Sequence, residues 1–62
     1  MCESTVFLER GGESQEFMKD VAKIIIDGDR LTLVGILGEE KTINGRIKVA
    51  DFVNHKMIVV EE

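Results

Sequence analysis

The chain has 62 residues, a formal net charge of −4 and one cysteine, with no proline, tryptophan or tyrosine. One cysteine excludes an internal disulfide, and the acidic balance repels phosphate backbones, which argues against a nucleic-acid partner. No stretch approaches the roughly 20 apolar residues that a bilayer span requires, and the start lacks the basic and apolar regions of a signal peptide. The expected location is therefore cytoplasmic, where a lone cysteine stays a thiol.

Residues 1–62 read as a single small domain, since no linker, repeat or low-complexity run divides them. A domain this small buries only about 60% of the surface its unfolded chain exposes. Below roughly 70–80 residues a fold usually needs a disulfide, a metal or a partner subunit. With 44% hydrophobic residues there is apolar material for a subunit surface as well as a core, so a homodimer is expected.

From Glu3 to Glu9 the run Ser4-Thr5-Val6-Phe7-Leu8 is rich in β-branched and aromatic residues and stops at Gly11-Gly12, which reads as a first strand. Ser14 to Ile26 is ambiguous. Phe17, Val21, Ile24 and Ile25 fall at helical spacing, whereas Ile24-Ile25-Ile26 is a β-branched run. Asp27-Gly28-Asp29-Arg30 decides it: a hairpin turn there places Lys23–Asp27 on a strand paired with Leu31–Val34, with Gln15–Met18 as a short strand before it. Gly38-Glu39-Glu40 predicts the next turn, Lys41–Ile43 a short strand, and Asn44-Gly45 a further turn with positive φ. Asn54-His55-Lys56 separates Ala50–Val53 from Met57-Ile58-Val59-Val60, an apolar run predicting burial on both faces. Five to seven short strands with tight turns describe an all-β fold, a small, partly open β-barrel whose remaining edge could pair across a dimer.

Catalysis needs a constellation, and one His, one Cys and turn-borne carboxylates do not make one, so no enzyme is expected. Asp27-Gly28-Asp29 lacks the further oxygen ligands and bidentate Glu of a calcium loop. Gly11-Gly12 and Gly45 lack the Lys-Ser/Thr pair of a phosphate loop. Met18 and Met57 fit a core, as flexible thioethers do. His55 fits a solvated turn and is held in reserve as a ligand.

Cys2 stands apart because of its position. If Met1 is retained, the Met1 amine, the Cys2 amide nitrogen and the Cys2 sulfur can chelate one ion. If it is removed, the new terminal amine and the thiolate still can. Nitrogen and sulfur donors suit square-planar Ni(II) or Cu(II). A two-fold axis near the N-termini would supply two sulfurs and two nitrogens to one ion, since an isologous interface repeats each patch. A buried, inert thiol is the competing reading from residue chemistry alone.

The start Met1-Cys2, the strand after it, the Gly11-Gly12 turn and the later Gly38-Glu39-Glu40 and Asn44-Gly45 segments together resemble the CooT family over essentially the whole chain. That resemblance implies a small homodimeric barrel of the Sm or SH3-like sort. It also implies an accessory protein supplying nickel to carbon monoxide dehydrogenase or another nickel enzyme, with Cys2 as the nickel ligand. Met-Cys also begins the HypC family of metalloenzyme maturation chaperones, but Glu3-Ser4-Thr5 follows here in place of that family's Ala-Ile-Pro-Gly-like segment. An Sm-like barrel suggests RNA binding as the other alternative. With only Phe7, Phe17 and Phe52 for aromatics, the chain lacks the stacking platform that single-stranded RNA uses.

Overall fold

In a computed structural model the described residues are 3–62, so Met1 and Cys2, the expected metal ligands, lie outside them. Five strands follow in order: β1 (Ser4–Arg10), β2 (Glu13–Asp27), β3 (Arg30–Gly35), β4 (Glu40–Asp51) and β5 (Lys56–Glu61). They close into a barrel in chain order, β1-β2-β3-β4-β5. Four pairings are antiparallel, and the ring closes through a parallel β1–β5 ladder from Thr5↔Lys56 to Glu9↔Val60.

The all-β small barrel agrees with the sequence reading, and its five strands fall within the expected five to seven, but two are longer than expected. Gln15–Met18 and Lys23–Asp27 are not separate strands: both belong to the 15-residue β2. Its first half pairs with β1 as far as Ser4↔Val21, and its second half pairs with β3 from Val21↔Gly35 to Asp27↔Arg30. At the changeover Asp20 takes φ 56°, a left-handed conformation that Asp tolerates better than most residues. A register shift between Val21 and Lys23 completes the bend, as a bulge does when it re-aims a strand.

Asn44-Gly45 is likewise not a turn. It sits inside the 12-residue β4, and neither residue has positive φ. Here the strand passes from β3 (Arg30↔Asn44) to β5 (Gly45↔Glu61). A Cβ on Gly45 would overlap the Val60 carbonyl oxygen, so the glycine permits a close backbone approach at a barrel corner. The expected turns at Gly11-Gly12, Gly28-Asp29 and Gly38 do occur between strands. Gly11 and Gly12 both have positive φ, as a two-residue hairpin loop of type I′ demands.

Alternation along the strands builds the interior. Val6 and Leu8 of β1, Met18 and Val21 of β2, Leu31 and Leu33 of β3, Ile43 of β4 and Val59 of β5 are buried, with Phe17, Ile24, Ile47 and Met57 packed around them. No polar side chain is buried among the described residues. Met57, Ile58 and Val60 are half-buried and only Val59 is fully inside, so β5 is not covered on both faces as its apolar run had suggested. Every strand has neighbours on both sides over part of its length, and closure consumes the edge the sequence reading left open.

Candidate functional site at the start of β1

The first described residues, on which any chemistry at Cys2 depends, lie between two strands. Ser4 pairs with Val21 of β2 and Thr5 with Lys56 of β5. The Thr5 N–H also donates to the His55 carbonyl oxygen at 2.9 Å. Val21 in turn pairs with Gly35 of β3. The β3–β4 turn and the β4–β5 turn therefore flank the start of β1, one on each side.

The barrel interior opens at this end into a groove of about 290 Å³ that includes Ser4, Val6, Val21, Ile24, Ile26, Ile47, Phe52 and Met57. Its walls continue the core face of the strands. Ile24 and Ile26 lie opposite the buried Leu33 and Leu31, and Ile47 lies opposite the buried Val59; directly opposed residues in an antiparallel pair share a face. Ile26 thus points the way a core residue points, yet it is 63% exposed. Phe52 (74% exposed) lines the groove from the β4–β5 turn, and Val53 (86%) follows it there. An apolar inner face that runs on past its own core is the kind of surface that marks a protein contact.

The β4–β5 turn that carries Phe52 is firmly built. Asp51 accepts hydrogen bonds from the Val53 N–H (3.1 Å), the Asn54 N–H (3.0 Å) and the Asn54 side-chain amide (2.8 Å). These bonds, the Asn54 side chain's foremost, hold the Asp51 carboxyl below the ordinary carboxylate range. His55 ends the turn with φ 54° and is exposed. It is a solvated turn residue, as the sequence reading expected, and its backbone fastens the start of β1.

Among the described residues no three His, Cys, Asp or Glu side chains gather where a metal ion could be held. The expected ligands, Met1 and Cys2, precede the described part of β1. Met18 is in the core and Met57 packs against it. Three basic side chains elsewhere are engaged in ion pairs: Arg10 with Glu61, Arg46 with Glu62 (3.1 Å) and Lys48 with Glu9 (3.1 Å). The groove at the β1 start was not legible in the sequence, because it arises from the long-range register of β2 against β3. The one local signal was the excess of β-branched residues in Ile24-Ile25-Ile26 over what one inward face requires.

A small closed barrel with an apolar mouth beside its first strand offers a surface suited to contact with another molecule. Comparison with known proteins shows the family. The family model described as "CO dehydrogenase accessory protein CooT" matches residues 1–60. The crystal structure of the protein assigned as CooT from Carboxydothermus hydrogenoformans superposes with a TM-score of 0.89 at 31% identity, covering 98% of each chain. An uncharacterised protein of Archaeoglobus fulgidus is 36% identical over 45 residues, covering 73% of this chain and 100% of that protein. The chain belongs to the CooT family, a family of CO dehydrogenase accessory proteins and not of catalysts. That agrees with the lack of a catalytic constellation in the sequence.

Proposed function

We propose that the chain is a cytoplasmic nickel-binding accessory protein, acting as carrier, store or chaperone. In this reading it works as a homodimer in which Cys2 thiolates from two copies hold one Ni(II), with the Met1 amine or the Cys2 backbone nitrogen completing the donor set. The observation that carries it is the CooT family match, which runs through Met1 and Cys2. The family's CO dehydrogenase role names a client for the metal. Nitrogen and sulfur donors in a planar set are the chemistry that Ni(II) accepts.

The apolar mouth supports the shared site. A second copy laid over Ile26, Ile47 and Phe52 would bury surface at about 25 cal/mol per Å², and it would do so at the end of the barrel from which β1 starts. A two-fold axis there brings like residues together, so the two Cys2 thiolates would meet without any further ligand from the barrel. This also accounts for the absence of a gathered ligand set among the described residues.

The test is a nickel titration followed by sulfur-to-metal absorption, with intact mass of the loaded species. The expected result is one ion per two chains and loss of the absorption band in Cys2→Ser. Binding unchanged by that substitution sinks the reading, and one ion per chain would replace the shared site by separate chelates.

A further inference from the structure

Asn44-Gly45 has the pattern of a hairpin loop yet lies inside β4, and its two residues stand there for unequal reasons. Gly45 is compelled, because a Cβ on it would overlap the Val60 carbonyl oxygen. Asn44 is not. Its side chain is exposed and makes no hydrogen bond among the described residues, whereas its backbone carbonyl accepts the Glu62 N–H at 3.0 Å. The fold therefore requires the glycine and leaves ahead of it the side chain with which a glycine amide reacts most readily.

The reaction needs only water. On losing its proton to water or hydroxide, the Gly45 backbone nitrogen attacks the Asn44 side-chain carbonyl carbon, and a five-membered succinimide closes as ammonia leaves. Water then adds to one of the two ring carbonyls and opens the ring, leaving aspartate or isoaspartate at position 44. A glycine nitrogen attacks fastest because no Cβ obstructs it. In the folded chain both requirements of the attack are denied. The Gly45 N–H donates to the Asp29 carbonyl at 2.8 Å, which keeps the proton on nitrogen as it does in slow amide exchange. Asn44 is also held extended, between its own pairing with Arg30 of β3 and the Gly45↔Glu61 pair of β4 with β5, and an extended ψ turns the Gly45 nitrogen away from the side-chain carbon.

We infer that Asn44-Gly45 is a deamidation site gated by the fold, silent while the corner between β3, β4 and β5 is closed and reactive when it opens. The isoaspartyl product is not a neutral mark. It routes the backbone through the former side chain and adds one carbon between positions 44 and 45. Position 44 keeps register with β3 and Gly45 with β5, so the extra carbon sets the two ladders out of phase. It also turns the carbonyl that holds the Glu62 N–H into a free carboxylate. A chain that has stayed open long enough to react is thereby kept from closing again, and the site records opening irreversibly. Asn54, the other asparagine, precedes His55, whose side chain obstructs the same attack, and its amide is held by Asp51 at 2.8 Å. Asp27-Gly28 can form the same ring by losing water, but regains that water with no net change in mass.

The experiment incubates the full chain at mildly alkaline pH, in buffer and in concentrated urea. It follows the gain of one mass unit that exchange of amide for acid brings, and locates that gain by peptide mapping. Asn44 is expected to react at least about 100-fold more slowly in buffer than in urea, a protection of the size that strands inside a sheet give their amides. Once the urea is removed, isoaspartyl chains are expected to stay unfolded by circular dichroism while unreacted chains refold. Asn44→Gln, whose longer side chain closes a ring far more slowly, should refold fully and gain no mass at position 44. Equal rates in buffer and urea overturn the gating, and a mass gain confined to Asn54 overturns the site. Isoaspartyl chains that refold with the wild-type thermal midpoint overturn the irreversible record.

Discussion

The two ends of the barrel are built on different terms. At the end where β1 passes into β2, the Gly11-Gly12 loop is short and polar, and the exposed surface along β1, β4 and β5 there is laced by Arg10–Glu61, Arg46–Glu62 and Lys48–Glu9. At the end where β1 begins, Ile26, Leu37, Phe52 and Val53 are in solvent. Ordinary folding physics explains the first end completely. The second leaves large apolar side chains in solvent beside the start of β1, the kind of surface that marks a protein contact.

The contrast can be broken by substitution. The largest effect belongs to the interior: Leu33 is fully buried, and Leu33→Ala is expected to cost about 2–5 kcal/mol by cavity formation, measured as a lowered urea midpoint. Next comes the mouth. If a second copy covers it, the thermal midpoint of wild type rises with protein concentration. Ile26→Ser then abolishes that dependence and halves the mass in light scattering, leaving the far-ultraviolet spectrum unchanged. A concentration-independent midpoint in wild type would erase the distinction between the ends.

A smaller effect belongs to Asp51 in the turn that carries Phe52. Its folded-state carboxyl is held below the ordinary range, chiefly by Asn54. The stabilisation is therefore present above about pH 4, where the unfolded carboxyl is ionised, and is lost as pH falls through the lower folded value. Asp51→Asn should lower the neutral-pH thermal midpoint slightly and flatten that part of the acid limb, so that the variant and wild type converge as the carboxyl is protonated. The smallest effect is predicted at the polar end. Lys48→Ala breaks an exposed ion pair with Glu9 and should change stability by about 0–1 kcal/mol. A larger loss there would show that the salt-bridged surface is structural after all.

How far the residues announced this arrangement depends on the range of the interaction involved. Turns set by local backbone demands, at Gly11-Gly12 and Asp27–Arg30, were legible, as were the methionines of the interior. Asn44-Gly45 misled because its pattern is that of a hairpin loop, whereas the glycine there answers to a distant neighbour, the Val60 carbonyl. Asp20 misled in the opposite sense. Nothing local marks it as a bend, and it becomes one because β2 exchanges β1 for β3 at that point. The expectation at Cys2 rests on its place beside the Met1 amine and falls outside the described residues. The groove could not be read from the sequence, because it depends on which strands meet.

The parallel ladder between β1 and β5 carries a practical consequence for handling the protein. Because the two strands run the same way, the described chain enters the barrel at one pole and leaves it near the other. The poles are about 20 Å apart, at 3.3 Å for each of the six residues of β5. A fusion or affinity handle appended after Glu62 therefore projects away from the apolar pole, whereas one joined ahead of β1 lies on the side of that pole. Purification through a C-terminal handle keeps the tag away from the start of β1 during the nickel titration.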